Sequence, residues 1–140
     1  MAQADLHVHS WFSDHPSEWF LQRIGANESY TDPEYIYSTA LERGMDFVTI
    51  TDHNAIQGAL ELKERHPDNV FVSVEATSYF PEDGCKVHIL VYGLTESQFA
   101  EVQKYRRNVY DLRDYLRAEG LAHSVAHATY AVNGRLEIVH

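Results

Sequence analysis

Two imidazoles and a carboxylate crowd the N-terminal end of the chain, where Ala4-Asp5-Leu6-His7-Val8-His9-Ser10 is followed by Ser13-Asp14. Side chains of an extended strand alternate between faces, so His7 and His9 share one face while Leu6 and Val8 take the other. Two neutral imidazoles spaced about 7 Å apart by the strand rise can serve adjacent metals or hold one ion from two directions. Paired histidines also occur on solvated strands, and the motif alone leaves both readings open. Nine histidines in 140 residues are many, and imidazole is the commonest metal-ligating side chain.

The elements that must carry these groups follow from hydrophobic pattern and turn residues. The pattern predicts a strand over 4–9, a long loop over 10–31, a helix over 33–43 and a strand over 46–51. Further on it predicts a helix over 55–65, strands over 70–76 and 86–93, helices over 95–105 and 108–119, and a strand over 121–127. Thr31-Asp32-Pro33 is a helix start, with a capping side chain ahead of a proline in the first turn, and Gly44 and Gly120 are helix stops. Helices alternating with strands rich in β-branched residues predict an α/β fold with a mostly parallel sheet. One connection departs from this rule. The segment between Ala76 and Lys86 holds Pro81 and the turn pair Asp83-Gly84, and it is too short for a helical crossover. Strands 70–76 and 86–93 are therefore expected to form an antiparallel hairpin that sets Glu75 nearly opposite His88.

The titratable residues fall at strand ends. The second strand closes on Thr51-Asp52-His53-Asn54, the third carries Glu75 near its end, the hairpin return carries His88, and the last strand ends in His127. In parallel α/β sheets the C-terminal strand ends share one rim, where sites assemble. A set of imidazoles and carboxylates without thiolate suits Zn, Mn or Fe in an open catalytic site better than a closed structural zinc.

His7-Val-His9-Ser-x-x-Ser13-Asp14, Thr51-Asp52-His53-Asn54, Val74-Glu75 and Val87-His88-Ile89-Leu90 resemble, in order, the motifs of the PHP (polymerase and histidinol phosphatase) superfamily. The resemblance covers essentially the whole chain, and the stretch from Pro16-Ser17-Glu18-Trp19-Phe20 to Tyr30-Thr31 resembles PHP domains joined to glycosyltransferases. It implies a distorted (β/α)7 TIM-like barrel, two or three divalent metal ions and phosphoester hydrolysis. By motif position the implied ligands are His7, His9, Asp14, His53, Glu75, His88 and His127. Metal charge only partly offset by Asp14, Glu75 and a bridging hydroxide would make a positive pocket that draws a small phosphorylated substrate. A metal lowers the pKa of bound water to about 7, and in-line attack of that hydroxide on the ester is the implied reaction.

Two departures from the family pattern are visible. The late Asp-x-His pair of PHP barrels is absent, with only the first five or so strands present, and Ala128 follows His127 where proline is expected. Residues 1–140 thus read as a single PHP domain that is C-terminally incomplete: a fragment, or a reduced barrel completed by another subunit. The alternatives to a phosphoesterase are a non-catalytic metal-binding or interaction module and a PHP-type exonuclease. A homo-oligomer, or an associated or fused glycosyltransferase-type domain, would be the partner.

Several residues carry two readings. Asp52 either orients a ligand imidazole from behind, as carboxylates do for metal-bound histidines, or caps the helix at 55–65. His15 is an alternative to Asp14. Arg23, Lys86 and Arg135 are candidate phosphate contacts on charge alone, and Trp11, Trp19 and Phe20 either read substrate or cover the barrel mouth. His123 reads as a satisfied interior histidine, His66 as a helix-end cation favoured by the macrodipole, and Cys85 as a spectator thiol.

Composition narrows the function classes. An apolar fraction of 44% and an aromatic fraction of 12% describe an ordinary globular chain. A formal charge of −10 argues against binding along a nucleic-acid backbone. The longest apolar runs are strand-sized, which excludes a membrane-spanning helix. The start of the chain has neither a basic region nor an apolar stretch, and a lone cysteine fits a reducing compartment, so a cytoplasmic setting is expected.

Overall fold

The computed structural model describes residues 1–13 and 29–128. Asp14, His15, Trp19, Phe20, Arg23 and Arg135 lie outside the described residues. The chain divides into two compact units, Met1–Val74 and Glu75–His140.

In the first unit, β1 (Ala4–Asp5) pairs in parallel with β2 (Phe47–Val48), with Ala4 opposite Phe47 and Asp5 opposite Val48. The regular ladder is shorter than the strands predicted over 4–9 and 46–51, yet the pairing continues beyond it. Thr51 N donates to Val8 O at 2.7 Å, and Val8 N donates to Thr51 Oγ1 at 3.0 Å. The threonine hydroxyl thus takes a bond that a regular ladder would give to a carbonyl, and the two segments stay tied beyond the ladder. Leu6, on the face opposite His7 and His9 by alternation, is 45% exposed and not packed. Helix α1 (Pro33–Glu42) starts as its sequence predicts: the Asp32 carboxylate accepts from Glu34 N at 2.7 Å, Pro33 fills the first turn, and Gly44 stops the helix with φ +84°. Helix α2 (Gln57–Arg65) begins two residues later than predicted, with Ile56 at its N-cap and no capping side chain. The two helices are tied by Glu34, whose carboxylate meets His66 Nε2 at 2.7 Å, and by Tyr37 stacked on the His66 ring at 3.7 Å between centroids. The His66 side chain therefore has a specific partner beyond the helix dipole. Ile36, Val48, Ile50, Ala59, Leu62 and Val70 are buried as this unit's core.

The second unit is built on a three-stranded sheet of order β3-β4-β5, with β3 at Ser73–Tyr79, β4 at Lys86–Tyr92 and β5 at Ala122–Val125. The hairpin predicted between Ala76 and Lys86 is present but tighter. Phe80 N donates to Cys85 O at 2.9 Å, Gly84 N donates to Phe80 O at 2.9 Å, and Gly84 supplies a φ of +70°. These bonds carry β3 on to Tyr79, so Glu75 lies near the start of its strand and not near its end. Strand β5 runs antiparallel to β4, with Ile89 opposite Val125 and Tyr92 opposite Ala122. Among the described residues the larger sheet is antiparallel, whereas the β1-β2 pair and the Val48–Val70 bridge beside it are parallel, so the expected parallel pairing is found in the first unit alone. A short turn, not a helix, joins β3 to β4, and that reverses the chain. No closed barrel is formed among the described residues.

Helices α3 (Glu96–Tyr105) and α4 (Val109–Ala118) connect β4 to β5. Thr95 and Gln98 form a capping box at the head of α3, Asn108 caps α4, and Gly120 stops α4 at φ +66°. Val102, Leu112 and Leu116 are turned inward alongside Val87, Ile89, Val91 and Leu121. All four residues of β5 are exposed, His123 among them. The expectation of an interior His123 fails: it is exposed on β5, the last strand of this sheet among the described residues, and its ring Nδ1 lies 2.7 Å from Leu121 O.

Candidate metal centre

In the first unit, the loop after β1 and the loop after β2 each present an imidazole. His9 and His53 stack with centroids 4.8 Å apart and planes inclined by 27°. His7 and His9, predicted about 7 Å apart by strand rise, bring their Nε2 atoms to 3.1 Å. The chain is extended but no longer regular there, so both rings swing toward one point. Two imidazole nitrogens that close must share a proton or a cation. Ligand atoms bonded about 2.1 Å from one ion at right angles lie roughly 3 Å apart, and the observed spacing fits. Ser13 supports the pair from behind, with its hydroxyl 3.4 Å from His9 Nδ1 and also accepting from His53 N at 3.2 Å. A hydroxyl on Nδ1 leaves Nε2 as the outward-facing nitrogen, as outer partners of metal-bound histidines do.

Asp52 is 1% exposed and holds the polypeptide after His9. Ser10 N donates to Oδ1 and Ser10 Oγ donates to Oδ2, both at 2.6 Å. It does not cap α2, which starts at Gln57. Burial pushes the Asp52 carboxyl above its ordinary range, opposed by the two bonds from Ser10 and by the nearby His9 and His53 rings. Helix α2 closes over this pair through Gly58, where a Cβ would come within 2.7 Å of Ser10 Oγ and 2.9 Å of Asp52 Oδ2. Neither Ser10 as the partner of Asp52 nor Gly58 as the residue that makes room was evident from sequence. A serine following His-x-His and a glycine one residue into a helix are the only local traces of them.

In the second unit, Glu75 and His88 face each other across β3 and β4, as the hairpin predicts, with His88 Nδ1 2.9 Å from Glu75 Oε1. His127 joins them. Ala126 N donates to His88 O at 2.9 Å, extending the β4-β5 ladder, and His127 then turns through a φ of +35° to place Nε2 3.1 Å from the same Glu75 oxygen. A left-handed backbone at a non-glycine residue costs about 1 kcal/mol or more, and here it aims an imidazole. Glu75 and His88 are buried. Two imidazole nitrogens and one carboxylate oxygen therefore converge at distances close to those between neighbouring ligands of a single divalent ion. Lys86 opens the same strand two residues before His88 and lies on the same face by strand alternation. Cys85 is buried in the turn, where its backbone N–H donates to Asp83 Oδ1 at 2.7 Å.

No protein-family model matches the chain. An uncharacterized protein of Methanocaldococcus jannaschii is 37% identical over 62 residues, which are 44% of this chain and 34% of the relative. A phosphoribosyl 1,2-cyclic phosphate 1,2-diphosphodiesterase of Eggerthella lenta is 36% identical over 95 residues, 66% of this chain and 31% of the relative. The chain spans about a third of the length of these curated relatives. Among solved structures, an amidohydrolase from Chromobacterium violaceum, with sulfate and no metal bound, matches 74% of this chain and 32% of its own at a TM-score of 0.52 and 23% identity. That likeness is one of fold. Among the described residues no helix is long and apolar enough to cross a membrane.

Proposed function

We propose that the chain is part of a PHP-type, metal-dependent phosphoesterase, with His7, His9 and His53 of one unit and Glu75, His88 and His127 of the other as metal ligands. The observation that carries this reading is the convergence of His88 Nδ1 and His127 Nε2 on one buried oxygen of Glu75 at 2.9 and 3.1 Å. Burying a carboxylate is costly unless a cation or strong donors offset it, and a divalent ion shared with two imidazoles does so. The His7–His9 pair adds a second set of ring nitrogens at ligand spacing. The ordered PHP motifs and the similarity to the Eggerthella lenta diphosphodiesterase point to a phosphate ester as substrate.

A bound divalent ion would supply Lewis acidity toward phosphoryl oxygens and a water acidic enough to act as nucleophile at neutral pH. The protein's own contribution is positional. Ser13 sets the His9 ring, the sheet sets Glu75 against His88, and the turn after β5 delivers His127. Lys86, on the His88 face of β4, is the candidate contact for a substrate phosphate within the described residues. Zn, Mn and Fe all suit this donor set.

The test is turnover of three substrates, a ribose 1,2-cyclic phosphate, a mononucleotide and single-stranded DNA, before and after removal of metal by chelation. Hydrolysis of a small phosphate ester that falls at least a hundredfold on chelation and returns with Zn or Mn is the expected result. Turnover unaffected by chelation contradicts the reading, and preferred cleavage of DNA would replace it by the exonuclease alternative.

A further inference from the structure

The first unit contains a buried contact that neither the ligand assignment nor the reaction uses. Ser10 directly follows His9, and Asp52 directly precedes His53. Both oxygens of Asp52 are engaged by Ser10, one by its backbone N–H and one by its hydroxyl, at 2.6 Å each. Ser10 has no exposed surface and Asp52 only 1%. Short paired bonds in a dry setting are among the more rigid contacts a protein makes. The same Ser10 hydroxyl receives Phe12 N at 3.2 Å, which fixes the next turn of the loop as well. Gly58 of α2 lies against both side chains with no room for a Cβ, so the helix blocks them from separating on that side. Each end of the contact is thus one peptide from an imidazole, and those two imidazoles are the stacked pair His9 and His53.

We propose that Asp52, Ser10 and Gly58 form a positioning clamp that sets His9 against His53 and thereby determines how tightly these rings hold a divalent ion. The inference rests on the metal reading of His9 and His53 given above. Metal-ligand distances tolerate only about 0.2 Å, and the regular β1-β2 ladder ends at Asp5 and Val48. Beyond the ladder the two ligand-bearing loops need another tie. The Val8–Thr51 bonds hold them one step earlier, and the Ser10–Asp52 contact is the tie immediately beside the rings. Ser13 is a second tie, since its hydroxyl accepts from His53 N and lies beside His9 Nδ1, but its contacts are 3.2 and 3.4 Å long. The shorter contact, with two bonds at 2.6 Å, is the clamp.

The experiment compares the full chain with Ser10→Ala, Asp52→Asn and the double variant, and takes Thr49→Ala as control. Thr49 bonds Phe71 O and Ser73 Oγ at 2.7 and 2.8 Å in the same unit, so its loss breaks buried hydrogen bonds without touching the clamp. Zn²⁺ is titrated into metal-free protein while the ring-nitrogen resonances of His9 and His53 are followed, and thermal unfolding of the metal-free forms is recorded in parallel. Ser10→Ala and Asp52→Asn should weaken Zn²⁺ binding at these rings by about 10- to 100-fold, the usual effect of losing an outer-shell partner. The double variant should lose no more than Asp52→Asn alone, because both changes act on the same hydrogen-bonded pair. Thr49→Ala should lower the unfolding temperature and leave affinity within about twofold of wild type. Affinity unchanged in Ser10→Ala and Asp52→Asn, or lowered equally by Thr49→Ala, overturns the clamp while leaving the metal reading intact. Wild-type rings that do not respond to Zn²⁺ overturn both.

Discussion

Glu75→Ala is expected to remove metal-dependent hydrolysis and to destabilise the protein even without metal. The side chain is completely buried, and one of its oxygens is shared by His88 and His127. Truncation takes away the acceptor that both rings face and leaves a void. Loss of a buried polar partner costs about 1–3 kcal/mol, measurable as a shift in urea midpoint on chelated protein. Removing outer-shell partners lowers metal affinity or activity by 10- to 100-fold, and removing Glu75, a proposed direct ligand, should exceed that, so turnover with added metal should fall by more than about a hundredfold. Glu75→Gln separates the two effects. It keeps the volume and an acceptor oxygen, so stability should largely return while turnover does not. Turnover of Glu75→Ala within tenfold of wild type would show that Glu75 is a structural carboxylate only.

His9→Ala gives the opposite pairing of effects. The ring is half-buried, meets His7 Nε2 at 3.1 Å, stacks on His53 and lies 3.4 Å from Ser13 Oγ. The stability cost should stay near the ~1 kcal/mol of an aromatic pair. Activity should nevertheless drop by at least about a hundredfold, because Nε2 is one of the proposed ligand atoms. Steady-state assays with saturating metal, run beside denaturant unfolding, decide the matter. Retained turnover with normal unfolding would remove the His7–His9 pair from the metal centre and leave Glu75, His88 and His127 as the remaining set.

The helices and the hairpin could be read from the residues because their signals are local. Asp32-Pro33 with Gly44 bounds α1, Gly120 ends α4, and Asp83-Gly84 with a short connection forces β3 and β4 to fold back, which brings Glu75 to His88. The parts that could not be read depend on contacts between distant segments. Ser10 and Asp52 are 42 residues apart, and no periodicity marks one as the partner of the other. The extent of β3 is settled by hydrogen bonds at Phe80 and Cys85, which closed the turn later than its proline and glycine suggested. His127 reaches Glu75 only because its backbone takes a positive φ, a conformation that histidine itself does not announce. Even spacing misled in one case: strand rise separates His7 from His9, whereas departure from the ladder after Asp5 brings their nitrogens together.

The most direct test of the metal reading is elemental analysis of the untagged protein, with divalent metal counted per chain for wild type and for Glu75→Ala. Two or three Zn, Mn or Fe ions per chain are expected in wild type and fewer in the variant. Wild-type protein that takes up no transition metal even when reconstituted with Zn or Mn would contradict the metal reading.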